Sequence, residues 1–136
     1  MDCEGDETNC YEPWKGDKNK HLPNGYAYNG AFFHENAPYD GGLQRPREES
    51  EIPDSSGLIL LLETTMGFPD LGDWAILGDA VYAHGAGGLS NWVFADGHSK
   101  AIKLSRTFSP VYMWGNPQVT QEQANFLAQD LAERGR

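Results

Sequence analysis

Two histidines and one carboxylate lie close together in the segment 82–104, and their side chains are of types that can share a proton or a cation. His84 precedes a glycine-rich stretch (85–88), and Asp96 and His98 stand on either side of Gly97. Imidazole nitrogens and carboxylate oxygens act as metal ligands and as proton acceptors. Because the glycine-rich stretch can fold back, we expect these three side chains to meet at one hairpin.

Two predicted strands, joined at Asp96-Gly97, are expected to hold this cluster. The residues 91–95 are mainly aromatic and apolar, and the residues 98–104 form the return strand. Asp-Gly between two strand-like runs indicates a hairpin, since both central positions of a type I′ turn need a positive φ. The sequence therefore predicts a β-hairpin with its turn at 96–97.

Two interpretations of the cluster remain open at this point. An Asp at a hairpin turn commonly bonds to the nearby backbone, and a neighbouring His can be its hydrogen-bonding partner. The cluster then serves the structure of the hairpin. Alternatively, His84, Asp96 and His98 form a metal or proton site.

Composition narrows the class of protein. The chain has 136 residues and a formal charge of −10, from 10 Lys and Arg against 20 Asp and Glu. This length fits a single domain over 1–136 with one modest core. The charge argues against nucleic-acid partners and against contact with acidic membranes.

The longest apolar run, 58–62, is far below the roughly 20 residues that span a bilayer. The acidic N-terminus does not have the form of a signal peptide.

The two cysteines, Cys3 and Cys10, enclose a short turn-forming loop. We predict a disulfide between them, which places the protein in an oxidising compartment. Two free thiols are the alternative.

The pattern of elements indicates an α+β fold with a mainly antiparallel sheet, long loops and a short C-terminal helix. Strands are predicted at 25–33 and at 56–65, the latter central because it is apolar on both faces, with a further short candidate at 74–77. The residues 34–53 are predicted to form a long surface loop. Thr120 and Gln123 have the spacing of a capping box, and an apolar stripe follows at Ala124, Leu127, Ala128 and Leu131.

The four tryptophans offer another chemistry, because aromatic rings can form a platform for sugars. They are Trp14, Trp74, Trp92 and Trp114. Tryptophans in a small domain more often pack in its core, so glycan binding is kept as an alternative.

Several of these segments together resemble the H-X9-DG pilin-like family of bacteria. The string Asn-Trp-Val-Phe-Ala-Asp-Gly-His at 91–98 is similar to the family's C-terminal motif, and the residues 25–29 are similar to its Tyr-Ala-Tyr-Asn strand. The likeness covers about 10–106. One departure is the spacing, since eleven residues separate His84 from Asp96 here.

The resemblance implies a pilin or pseudopilin headgroup, which is a non-enzymatic subunit of a type IV pilus-like or type II secretion filament. Such subunits carry a hydrophobic N-terminal helix that anchors them in the inner membrane and then packs against other subunits. That helix is absent from this chain, so the resemblance implies an exported headgroup, periplasmic or at the cell surface, that is monomeric by itself.

The resemblance also suggests candidate ligands for a divalent cation, Ca²⁺ or Zn²⁺. They are Glu63, Asp79, His84, Asp96 and His98. A metal-dependent hydrolase that uses Glu63, His84, Asp96 and His98 with a metal-activated water is the enzymatic alternative.

Overall fold

The computed structural model describes residues 25–64, 70–74, 81 and 83–136. The strands are β1 (Tyr26–Asn29), β2 (Tyr39–Asp40), β3 (Leu43–Gln44), β4 (Ile59–Glu63), β5 (Asp70–Leu71), β6 (Leu89–Phe94) and β7 (Ser99–Lys103). One α-helix, α1 (Gln121–Glu133), closes the described chain. No helix in this part of the chain combines the length and apolar character that crossing a membrane requires.

Within the described residues, the main sheet has five strands in the order β5-β1-β4-β6-β7. Its pairings β1–β4, β4–β6 and β6–β7 are antiparallel, and the short β5 runs parallel to β1. The α+β class and the mainly antiparallel sheet are therefore confirmed. The apolar run at 59–63 is the central strand, as predicted.

The two faces of this sheet have different surroundings. Residues that pair directly across strands share a face, so Ala27, Leu62 and Trp92 form one row, and all three are buried. On the opposite face the row Tyr28, Leu61, Val93 and Ser99 is only partly buried or exposed. We call this second side the open face of the sheet.

The core forms where the buried face meets the C-terminal third of the chain. Trp92 and Trp114 are fully buried and pack edge to face, with ring centroids 5.8 Å apart. The indole N–H of Trp114 donates to the hydroxyl of Thr107 at 3.0 Å. The buried indole N–H thus has a hydrogen-bond acceptor inside the core, as a buried polar group requires.

Helix α1 begins and packs as its sequence predicts. Thr120 is the N-cap, its hydroxyl accepts from the amide of Gln123, and the side chain of Gln123 accepts from the amide of Thr120. Ala124, Ala128 and Leu131 are buried, and Leu127 packs against the core. The capping box and the apolar stripe are therefore confirmed.

Two local predictions were wrong. The first strand ends at Asn29, because the side-chain amide of Asn29 turns into the core and donates to the carbonyls of Ile59 (2.9 Å) and Trp114 (3.0 Å). A single π-helical turn, Ala31–Glu35, follows it. The predicted loop 34–53 contains the two-stranded β2–β3 hairpin and a 3₁₀ turn at Glu49–Glu51. Of the candidate strand 74–77, only Trp74 is among the described residues.

The predicted hairpin at 96–97 is confirmed, but the predicted type I′ turn was wrong. The amide of Phe94 donates to the carbonyl of His98 at 2.9 Å, so the loop has three residues. Gly97 has φ +91°, and no non-glycine residue has a positive φ in the described chain. Since a type I′ turn needs positive φ at both central positions, this is instead a three-residue loop with glycine at the left-handed position.

Candidate functional site

Glu63, at the end of β4, is a buried carboxylate that accepts from several donors. The Oε2 of Glu63 lies 2.8 Å from the Nε2 of His84 and 2.8 Å from the backbone amide of Asn91. The Oε1 of Glu63 lies 3.1 Å from the side-chain amide nitrogen of Asn91. Three donors thus converge on one carboxylate whose residue is only 8% exposed.

These donors determine the charge state of Glu63. Burial alone would raise its pKa, but the hydrogen bonds from Asn91 and from His84 outweigh burial, and the pKa lies below its usual value. An ionised carboxylate only accepts hydrogen bonds. The Nε2–H of His84 is therefore the hydrogen-bond donor in this contact, and the carboxylate of Glu63 accepts.

Asp96 and His98 form a second pair inside the hairpin loop. The Oδ1 of Asp96 accepts from the backbone amide of His98 at 3.0 Å and lies 2.6 Å from the Nδ1 of its ring. The ring of His98 stacks on Phe94 with centroids 4.4 Å apart. The backbone amide and then the ring of His98 lower the pKa of Asp96.

The two pairs lie near opposite ends of β6. Asn91 lies on β6, and Asp96 lies in the loop beyond Phe94, where β6 ends. The extended stretch from Asn91 to Phe94 alone corresponds to about 10 Å. In the part of the chain that the structure describes, no group of three or more His, Cys, Asp or Glu side chains could hold a metal ion. The predicted set Glu63, His84, Asp96 and His98 is therefore divided into two separate pairs.

The expectation that His84 meets Asp96 and His98 was wrong for a local reason. The amide of His84 donates to the carbonyl of Leu89 at 2.7 Å, and the amide of Gly88 donates to that of Gly85 at 3.3 Å. The glycine-rich stretch thus forms a tight turn that fixes His84 at the beginning of β6. There His84 faces Glu63 instead of the hairpin loop.

Cys3, Cys10 and Asp79 lie outside the described residues, as does Trp14. The predicted disulfide stays a prediction. Among the other tryptophans, Trp92 and Trp114 are fully buried and only Trp74 is exposed. A sugar platform that includes Trp92 and Trp114 was therefore wrong, because these two rings form the core, and glycan binding through exposed tryptophans stays a prediction.

Sequence reasoning missed Asn91, which supplies two of the donors to Glu63. A signal was available, since Asn is a polar residue with low strand propensity in a strand of apolar and aromatic residues. It also missed the buried Asp73, whose carboxylate accepts from the Tyr112 hydroxyl at 2.6 Å and from the Asn116 side chain at 3.2 Å. Nothing in the local sequence around Asp73 indicates partners about forty positions away.

Comparison with known proteins gives no match to this chain among protein-family models, curated proteins or solved structures. The chemistry of the two pairs is therefore inferred from their own geometry. In each pair the carboxylate is bonded to a backbone amide and to a histidine that lies next to a strand of the main sheet. This arrangement fixes strands and turns in place.

Proposed function

We propose that this chain is the headgroup of a filament subunit, of the pilin or pseudopilin kind, that acts by assembly and not by catalysis. The protein is exported, and its partners are further subunits of a type IV pilus-like or type II secretion filament. The resemblance of the segment 91–98 and of the residues 25–29 to the H-X9-DG pilin-like family is the sequence argument for this proposal.

The observation that carries the proposal is the bonding of two carboxylates, Asp96 within the segment 91–98 and Glu63 on the neighbouring strand. Asp96 bonds to the amide and ring of His98, and this defines the hairpin loop. Glu63 ties the end of β4 to Asn91 on β6 and to His84. Carboxylates that bond neighbouring segments of the chain to each other are expected in a structural subunit that acts by assembly.

The open face of the sheet supports the same proposal. It presents Tyr26, which is 62% exposed, together with the partly buried Tyr28, Leu61 and Val93. Clustered aromatic and aliphatic side chains on a surface are typical of protein–protein interfaces. A filament subunit needs such a surface for its neighbours.

Cysteine cross-linking in the native cells tests the proposal. Tyr26→Cys is introduced into the gene in its genomic context, with Cys3 and Cys10 replaced by serine, and cells are treated with a thiol cross-linker. Surface filaments are then sheared off and analysed by immunoblotting. We expect the protein in the pelleted filament fraction, with a ladder of cross-linked multimers.

Leu43→Cys provides the matched control, because Leu43 is 76% exposed but lies on the separate β2–β3 hairpin. We expect it to give a much weaker ladder at the same expression level. Recovery of both variants only as monomers in the unpelleted fraction would overturn the proposal.

A further inference from the structure

Helix α1 borders an apolar groove that contains no residue of the two carboxylate–histidine pairs. The groove has a volume of about 530 Å³ and is lined by Gln118, Val119, Glu122, Gln123, Phe126 and Leu127. This volume lies within the range of about 300–1,000 Å³ that is usual for ligand sites. We call it the α1 groove.

Phe126 is the unusual residue at this groove. It is 74% exposed, although it stands at the middle of α1. The helix buries Ala124, Ala128 and Leu131, and Phe126 is not part of this buried stripe. A large exposed aromatic side chain beside an apolar groove is typical of an interface anchor.

The charges around Phe126 indicate the kind of partner. Glu122 and Asp130 lie four positions away on either side, and Glu133 lies seven positions away, so all three share the helix face of Phe126. Asp130 is paired with Arg134 at 2.7 Å. Glu122 has no ion pair among the described residues. Phe126 thus has Glu122 one turn before it and Glu133 two turns after it on the same helix face, on a chain with a net charge of −10.

We infer that the α1 groove binds a basic polypeptide segment of another protein, in which a large apolar side chain is flanked by lysines or arginines. The apolar side chain enters the groove against Phe126, Val119 and Leu127, and the flanking cations face Glu122 and Glu133. A second copy of this chain is disfavoured as the occupant, because two acidic faces repel each other. This inference does not depend on the filament proposal.

Titration with two synthetic peptides tests the inference. The first has a central leucine with two lysines on each side, and the second has glutamates in place of the lysines. Binding to the ¹⁵N-labelled full chain is followed by amide chemical shifts at low and at physiological salt. We expect the lysine peptide to shift amides of 118–127, with weaker binding at higher salt, and the glutamate peptide to shift none.

Four variants separate a specific site from general attraction to an acidic protein. Phe126→Ala and Glu122→Lys are each expected to weaken binding by about tenfold or more. Leu43→Ala and Glu49→Lys are the controls, because they remove an equally exposed apolar side chain and reverse an equally exposed charge elsewhere. We expect both controls to bind as the unmodified chain does.

Three outcomes would overturn the inference. The first is equal binding of both peptides, and the second is loss of binding in Glu49→Lys to the same degree as in Glu122→Lys. The third is dimerisation of the unmodified chain in sedimentation experiments that Phe126→Ala abolishes, since the groove would then hold a second copy.

Discussion

His84 donates a hydrogen bond from its Nε2 to the Oε2 of Glu63 across 2.8 Å, although 21 positions separate the two residues in the chain. Glu63 is buried at the end of the central strand, and Asn91 on the neighbouring strand donates to it twice. The contact therefore joins β4, β6 and the turn before β6 at a single carboxylate.

Glu63→Gln should destabilise the fold at neutral pH. The side-chain amide of glutamine places a donor against the donors of Asn91 and His84. A hydrogen bond to a charged group contributes about 1.5–3 kcal/mol to stability. We expect a loss of about 1–3 kcal/mol in the free energy of unfolding, measured by urea denaturation at pH 7. Glu49→Gln, at an exposed position, is the control and should change little.

The same variant should alter the pH dependence of stability. The pKa of Glu63 in the folded state lies below the ordinary value of 4.5. Its contribution is therefore fully present above pH 4.5 and is lost as the pH falls through the folded-state pKa. We expect the stability difference between the unmodified chain and Glu63→Gln to shrink as the pH falls below 4.5. A difference that grows as the pH falls below 4.5 would contradict the assigned charge state.

Gly97→Ala should destabilise the hairpin. Gly97 has φ +91°, a conformation that strains any residue with a Cβ atom. We expect a loss of about 1–2 kcal/mol in the free energy of unfolding. Gly25→Ala is the matched control, because a Cβ at Gly25 meets no atom within 4 Å and its φ is not in the strained range. Equal effects of the two substitutions would argue against the three-residue loop.

Asp96→Ala should lower the melting temperature, because the loop loses the acceptor for the amide and the ring of His98. Asp40→Ala, at an exposed position on β2, removes the same charge without touching this loop. Thermal unfolding followed by circular dichroism compares the two. Equal melting temperatures for the two variants would show that Asp96 does not hold the hairpin.

Thr107→Val should destabilise the core. The hydroxyl of Thr107 accepts from the indole N–H of Trp114 and donates to the carbonyl of Leu104 at 2.7 Å. Valine keeps the shape but leaves the buried indole N–H without a partner, which costs about 1–3 kcal/mol. In a Trp114→Phe background the same substitution should cost less, and a double-mutant cycle measures this coupling.

Local signals predicted those elements whose determinants lie close together in sequence. The Asp96-Gly97 pair identified the hairpin, and the Thr120 capping box identified the beginning of α1. The turn type was not predicted because an Asp-Gly pair occurs both in two-residue turns and in three-residue hairpin loops. The hydrogen bond from the amide of Phe94 to the carbonyl of His98 sets the register of this hairpin. Sequence alone does not fix that register.

The candidate site was harder to predict because its contacts are not local. The turn at 85–88 decides which way His84 faces, and glycine permits either direction. The first strand ends at Asn29 because of partners up to 85 positions away. Such contacts depend on the assembled core, so the sequence could indicate the side chains of the site but not which of them meet.

Elemental analysis combined with thermal unfolding tests most directly whether the two carboxylate–histidine pairs hold a scaffold together. The unmodified chain, Glu63→Gln and Asp96→Ala are purified without chelator, and the Ca, Mn and Zn content and the melting temperature with and without EDTA are measured for each. We expect the same substoichiometric metal content in all three, no effect of EDTA, and lower melting temperatures for both variants. Stoichiometric metal in the unmodified chain that is lost in Glu63→Gln, together with a fall in melting temperature on adding EDTA, would contradict it.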